Sequence, residues 1–127
     1  MTGQVVHFEI PADDVSRAQA FYREAFGWQI NEVPGMSYAL VNTTETDENG
    51  VPRTPGAING GMMARMGPVT APVVTIDTED IEATLKVVEK LGGSVAMPKM
   101  KVGEIGFAAY FADTEGNVVG LWENAAE

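Results

Sequence analysis

The side chains whose types and spacing could carry acid–base chemistry are His7 and Glu9. His7 is the single histidine of the 127-residue sequence. Residues 5–10 alternate in polarity with the period of a half-buried strand, which places His7 and Glu9 on one strand face. Glu9 could orient His7 or raise its pKa, so that the ring acts as a general base or as a hydrogen-bond anchor. A structural or solvated pair is the alternative.

The composition excludes several other chemistries. The sequence has no cysteine, which removes disulfides, thiolate catalysis and cysteine-ligated zinc or iron–sulfur sites. The formal charge of -10 predicts repulsion of nucleic acid and of anionic membrane surfaces, so neither is expected as a partner. There is no basic leader segment and no apolar run long enough to span a membrane, which favours a cytoplasmic location.

Two stretches of the chain follow the same plan of a strand, a helix and further strands. In the first, Asp13 or Asp14 can cap a helix that Gly27 ends. A shift of 66 positions aligns Asp14 with Asp80, which precedes a second helical pattern, and Gly27 with Gly93. The matches fall on helix caps and helix ends, so the two halves are expected to share one fold.

The repeat predicts a single α+β domain, residues 1–127, made of two paired βαβββ modules. The first module covers about 4–66 and the second about 69–123. Each module has one helix, which covers one sheet face only, so pairing leaves the other faces curled toward each other as an open, barrel-like cup. Pro11 is expected to stop the first strand, and a short strand is expected to begin at Ser94, before Pro98.

The segment from His7 to Trp28 resembles the opening of the vicinal oxygen chelate superfamily, which groups glyoxalase I, bleomycin-resistance proteins and extradiol dioxygenases. The Phe21-Tyr22 pair and Gly27 carry this resemblance, and residues 113–123 look like the last hairpin of the family. The resemblance implies paired βαβββ modules around an open cup, commonly completed by dimerisation. A homodimer is therefore expected, also because open sheet edges require pairing or protection.

In metal-dependent members of this superfamily, one residue from each of four strands holds a divalent cation, usually two His and two Glu. The resemblance assigns the first of these positions to His7. The other positions fall on Val73, on Gly60 or Gly61, and on Gly120, none of which offers a donor side chain. One imidazole is too few ligands for a divalent cation to outcompete water, even with Glu9 beside it. No metal or other cofactor is expected.

The resemblance places the His7 and Glu9 face inside the cup, and it supplies candidates for the other walls. Trp122 would lie on the wall formed by the last strand, with Glu123 facing away. Phe107 is on the preceding strand, for which the sequence does not decide which face looks inward. Met62 could add an adaptable wall. Ordinary core packing is the favoured alternative for both Trp122 and Met62.

Three functions remain open. The favoured one is a glyoxalase/bleomycin-resistance-like protein that binds a small organic molecule in the cup without a metal, through His7, Glu9, Trp122, Phe107 and Met62, with His7 and Glu9 as the catalytic candidates if a reaction occurs. The second is a metal-dependent lyase, isomerase or dioxygenase with an atypical ligand set. The third is a non-catalytic regulatory module. The fold hosts many chemistries, so the resemblance does not identify the ligand or decide between enzyme and binding protein.

Overall fold

The chain contains two copies of a βαβββ arrangement in a computed structural model that describes residues 3–126. The elements in chain order are β1 (Val5–Ala12), α1 (Val15–Phe26), β2 (Gln29–Glu32), β3 (Tyr38–Asn42), β4 (Gly60–Ala64), β5 (Val73–Asp77), α2 (Ile81–Lys90), β6 (Ser94–Val102), β7 (Gly106–Ala112) and β8 (Val118–Asn124). The predicted α+β class and its two βαβββ modules are confirmed. No helix among residues 3–126 has the length and apolar character needed to cross a membrane.

The chain forms two compact units. The first unit is residues 7–72, and the second combines residues 73–126 with residues 3–6, so that β1 contributes its first two residues to the second unit. In the first unit the strand order is β2-β3-β4-β1, with β1 parallel to β4 and β3 antiparallel to both of its neighbours. In the second unit the order is β5-β8-β7-β6, with β5 parallel to β8 and the other pairs antiparallel.

Each helix covers one face of its own sheet. Beneath α1 the buried core is Ile30, Ala39, Val41 and Met62, with Phe8, Val15, Ala18, Tyr22 and Trp28 packed against it. Between α2 and its sheet the buried core is Ile81 and Leu85 of the helix with Ala109 and Leu121 of the strands. The strand residues in these cores alternate with residues on the opposite sheet face, as the period of two requires.

Both helices begin and end close to where the sequence predicts. Asp14 is the N-cap of α1, and its Oδ1 accepts a hydrogen bond from the Arg17 N–H at 3.0 Å. Asp80 caps α2 in the same way, through the Ala83 N–H at 3.1 Å. Gly27 ends α1 in the left-handed conformation with φ of 72°, which favours glycine. The repeat in the sequence therefore corresponds to two helices that an aspartate caps in the same way.

Removing the carboxylates separately tests how much each cap stabilises its unit. We expect Asp14→Ala to lower the free energy of unfolding by about 1 kcal/mol, the usual cost of losing an N-cap side chain. Asp80→Ala is expected to cost less, because Glu123 Oε1 also accepts a hydrogen bond at this helix end, from the Ile81 N–H at 2.8 Å. Urea unfolding of both variants measures the difference, and an equal loss would contradict this second cap.

Pro11 does not end its strand as predicted, and the strand that begins at Ser94 is longer than predicted. Pro11 lies inside β1, which continues to Ala12. The carbonyl of Ala12 accepts a hydrogen bond from the Arg65 N–H of the neighbouring chain segment, so alternation turns the amide nitrogen of Pro11 away from β4. Pro98 lies inside β6, a nine-residue strand at the end of its sheet. The register of β6 shifts on either side of Met97, and such irregularities on an edge strand accommodate a proline.

Candidate functional site

The candidate site lies on one face of the sheet in the first unit. This is the face opposite α1, and we call it the far face. Strand alternation and register place ten residues on it: His7, Glu9, Pro11, Gln29, Asn31, Tyr38, Leu40, Asn42, Gly61 and Met63. Gly61 pairs with Glu9 on one side and with Leu40 on the other. The strand β4 therefore separates β1, which carries His7 and Glu9, from β3, which carries Tyr38.

The hydroxyl of Tyr38 joins the two predicted acid–base residues. Tyr38 Oη donates a hydrogen bond to Glu9 Oε2 at 3.0 Å and lies 2.8 Å from His7 Nε2. Glu9 is buried, with 8% of its surface exposed, whereas His7 and Tyr38 are partly buried. A buried carboxylate requires hydrogen-bond donors, and the Tyr38 hydroxyl is one of them. The structure thus brings His7 and Glu9 into one hydrogen-bonded chain through a third residue.

Gly61 allows the Tyr38 side chain to cross β4. A Cβ atom at position 61 would overlap the hydroxyl and the end of the Tyr38 ring. Any larger residue would therefore displace the ring and break the link between His7 and Glu9. Gly60 has a different role, because a Cβ there would overlap the backbone carbonyl and the ring of Phe8 on the α1 side of the sheet.

Burial lowers the pKa of His7 from its ordinary value of 6.5 to about 4. The expectation that Glu9 raises this pKa is therefore wrong. The carboxylate does not pair directly with the ring, since the Tyr38 hydroxyl lies between them, and desolvation of the imidazolium dominates. At neutral pH the ring of His7 is uncharged.

Sequence reasoning did not select Tyr38. The available signal was the alternation of Tyr38, Leu40 and Asn42 against Ala39 and Val41, which separates a polar strand face from a core face. That signal does not reveal that β4 lies between β1 and β3. The hydrogen-bonded link between His7 and Glu9 depends on this strand order, which a parallel pairing of β1 with β4 creates.

Met62 is not on the far face. It pairs with Ile10, lies fully buried beneath α1 and packs in the core with Ile30 and Val41. The prediction of Met62 as a ligand contact is therefore corrected, because its side chain is buried in the core and strand alternation turns it to the face opposite His7. The core alternative for Met62 is the one the structure supports.

Phe107 and Trp122 lie on opposite faces of the sheet in the second unit. Phe107 packs against the core beneath α2, and Lys99 Nζ lies 4.4 Å from the centre of its ring. Its direct partner on β8 is Glu123, whereas Trp122 pairs with Ala108. Directly paired residues share a sheet face, so the predicted grouping of Phe107 with Trp122 is corrected.

Trp122 and Glu123 are turned apart as alternation predicts. Trp122 is partly buried, covers Gly106 and donates its indole N–H to Asn124 Oδ1 at 2.8 Å. Glu123 caps α2 and accepts a hydrogen bond from Lys99 Nζ at 3.3 Å, which assigns its carboxylate a structural role. Trp122 thus remains available on the face opposite α2, and Glu123 does not.

The structure describes each of the positions at which the family resemblance predicts metal ligands. Gly61, not Gly60, shares the far face with Glu9, and on the second unit Gly120 pairs with Thr75, whose Oγ1 would lie 2.9 Å from a Cβ at position 120. Val73 offers no donor. Within residues 3–126, no three His, Cys, Asp or Glu side chains are grouped closely enough to hold a metal ion. His7 is the one donor side chain at these positions, which is too few for a divalent cation.

Comparison with known proteins gives the same assignment of family. Residues 4–44 match the family model described as bleomycin resistance protein-like N-terminal. A glyoxylase-like domain-containing protein of Didymella fabae is 31% identical over 120 residues, covering 91% of this chain and 89% of the relative. The protein CFP32 of Mycobacterium tuberculosis, named as a glyoxylase, is 33% identical over 91% of this chain, and the chain spans 43% of its length.

Solved structures show the same fold at low sequence identity. Methylmalonyl-CoA epimerase of Streptomyces coelicolor, in complex with 2-nitronate-propionyl-CoA, superposes with a TM-score of 0.67 and 18% identity, covering 99% of this chain and 100% of the other. The epimerase of Mycobacterium tuberculosis gives a TM-score of 0.64 at 16% identity, covering 98% of this chain and 89% of the other. The repeated βαβββ units and these relatives show that the chain belongs to the vicinal oxygen chelate superfamily, in the glyoxalase/bleomycin-resistance group.

Proposed function

We propose that this chain binds a small organic molecule without a metal ion, and that the hydrogen-bonded chain of His7, Tyr38 and Glu9 on the far face is its polar anchor. The observation that carries the proposal is the Tyr38 hydroxyl, at 2.8 Å from His7 Nε2 and 3.0 Å from Glu9 Oε2. Ligand sites are mostly apolar surfaces with a few fixed polar groups, and these three side chains fix one another.

The low pKa of His7 favours an anchor over a general base. A ring with a pKa of about 4 is neutral at pH 7 and keeps an acceptor nitrogen, but it has little tendency to take up a proton. A base for proton transfer near neutral pH would have a pKa closer to the working pH. The role we propose for His7 is therefore hydrogen bonding to the ligand, with Glu9 acting through Tyr38.

Other parts of the proposal rest on the family. Trp122 is proposed as an apolar ligand contact on the sheet of the second unit, because a partly buried indole ring can stack on a flat molecule. The homodimer and the cytoplasmic location stay predictions, and light scattering after gel filtration tests the first of them. The relatives direct the choice of ligands, since one is named for anthracycline biosynthesis and the epimerase structure holds an acyl-CoA derivative.

A thermal-shift screen tests the proposed function. The panel contains a short-chain acyl-CoA, an anthracycline, bleomycin and a set of neutral aromatic fragments. A ligand present at 100 times its Kd stabilises the folded state by about 2.7 kcal/mol, which raises Tm by several degrees. We expect His7→Ala to weaken the binding of any hit by about tenfold, and the exposed α2 substitution Glu89→Gln to leave it unchanged.

The same screen separates this function from the alternatives. A panel in which no compound shifts Tm would contradict small-molecule binding and favour a regulatory module. Elemental analysis of the purified protein addresses the metal. Stoichiometric metal in the wild type that is lost in His7→Ala would overturn the metal-free proposal and favour an enzyme with an atypical ligand set.

A further inference from the structure

The hydrogen bonds around Tyr38 favour one tautomer of the His7 ring. A tyrosine hydroxyl carries one hydrogen, and in Tyr38 this hydrogen is donated to Glu9 Oε2. At 2.8 Å from His7 Nε2, the Tyr38 oxygen can then only accept, so His7 Nε2 must carry a hydrogen. Because the neutral imidazole ring carries one hydrogen in total, His7 Nδ1 has none and presents a lone pair.

His7 Nδ1 is consequently a hydrogen-bond acceptor that a ligand can satisfy. Apart from the bond through Nε2, His7 forms no hydrogen bond within residues 3–126. The side chain is partly exposed, so a small molecule on the far face can approach it. A polar atom in a partly buried position is favourably matched by a hydrogen-bond donor of the ligand.

The charges of the first unit argue against an anionic ligand at this position. Residues 7–72 contain four arginines and no lysine, and none of the arginines lies on the far face. Arg23 donates to the Ile30 carbonyl, Arg65 pairs with Asp13, Arg53 donates to the Thr46 carbonyl, and Arg17 lies on α1. A carboxylate or phosphate placed beside His7 would meet the acceptor Nδ1, and none of the ten far-face residues is cationic.

We propose that the ligand of the far face is an uncharged or cationic molecule that donates an N–H or O–H hydrogen bond to His7 Nδ1. This inference rests on the proposed function, and it specifies the ligand class that the site selects. Molecules whose only polar group is an ether, a carboxylate or a phosphate lack that donor. The direction of the Tyr38 hydrogen bond, not the identity of His7 alone, determines this selectivity.

Nitrogen NMR on the single histidine tests the inference without any variant. Protein labelled with 15N-histidine gives ring signals from His7 alone. We expect the neutral ring with hydrogen on Nε2 between pH 5.5 and 8. We then expect phenol to bind about fivefold more tightly than anisole, which has a similar shape but no donor, and to move the Nδ1 signal. Benzoate is expected to leave the signal unchanged.

Each outcome has a defined meaning. A hydrogen on Nδ1, a charged ring at pH 6, or a Nδ1 signal that moves equally with phenol and anisole would overturn the inferred ligand class. In the last case binding at the far face, and hence the proposed function, would still stand. If none of the fragments or screened ligands perturbs His7 or its neighbours on β1 and β3, the proposed function fails, and the inference fails with it.

Discussion

Lowering the pH from 7 to 4 is expected to destabilise the protein by about 3 kcal/mol through His7, since one pKa unit corresponds to about 1.4 kcal/mol. In the unfolded chain His7 has its ordinary pKa of 6.5, whereas burial lowers the pKa to about 4 in the folded state. Between these values the unfolded state binds a proton that the folded state does not. The free energy of unfolding therefore falls as the pH drops through this window, and the loss is complete below about pH 4.

Urea unfolding at a series of pH values measures this effect, with His7→Gln as the matched control. Glutamine does not titrate but keeps a donor for the Tyr38 oxygen, so the difference between the two proteins isolates the histidine. Asp47 and Asp113 also have lowered pKa values, because backbone or side-chain hydrogen bonds stabilise their carboxylates, and their contribution is lost at lower pH. That loss cancels in the comparison. Parallel pH profiles for the two proteins would show that His7 is not buried as described.

Gly61→Ala is expected to separate His7 from Glu9 by displacing Tyr38. The new Cβ would overlap the Tyr38 hydroxyl and ring end, so the ring must move out of its position over β4. Overpacking of this kind costs about 1 to 3 kcal/mol, and here it also removes a hydrogen-bond donor from the buried Glu9. We expect a lower free energy of unfolding and weaker binding of any far-face ligand.

A double-mutant cycle with Tyr38→Ala distinguishes this mechanism from a general loss of stability. Once the ring is removed, Gly61→Ala is expected to cost little, which gives a large interaction energy between positions 38 and 61. Gly60→Ala is the matched control on the neighbouring residue. Its Cβ would overlap the backbone carbonyl of Phe8, which cannot move aside, so its cost should be the same with or without Tyr38. Additive behaviour of Gly61→Ala and Tyr38→Ala would contradict the proposed steric link.

Local chemistry made much of the fold predictable from the sequence. Asp14, Gly27 and Asp80 are residues whose side chains or backbone freedom act within one helical turn, and each has the predicted role. The 66-residue repeat predicted two βαβββ modules because the signals recur in the same order. Pro11 was wrongly expected to end β1, and the strand that begins at Ser94 is longer than expected, since a proline ends a strand only where its missing N–H is needed by the ladder.

The candidate site was less predictable because it depends on strand order and on sheet faces. His7 and Glu9 are two positions apart on one strand, so alternation alone placed them together. Tyr38 reaches them across an intervening strand, at a sequence distance of 31 residues from His7. Met62 and Phe107 were suitable by residue type, but each lies beneath the helix of its unit, and their type does not reveal which face is covered.

The crossing of Tyr38 over Gly61 also restricts how this chain could change. Any side chain introduced at position 61 would meet the phenol ring of Tyr38 first. A larger residue at position 61 therefore requires a second substitution at Tyr38, and each step taken alone is expected to be harmful. A pair of residues that must change together acts as a barrier against one-step change at this position.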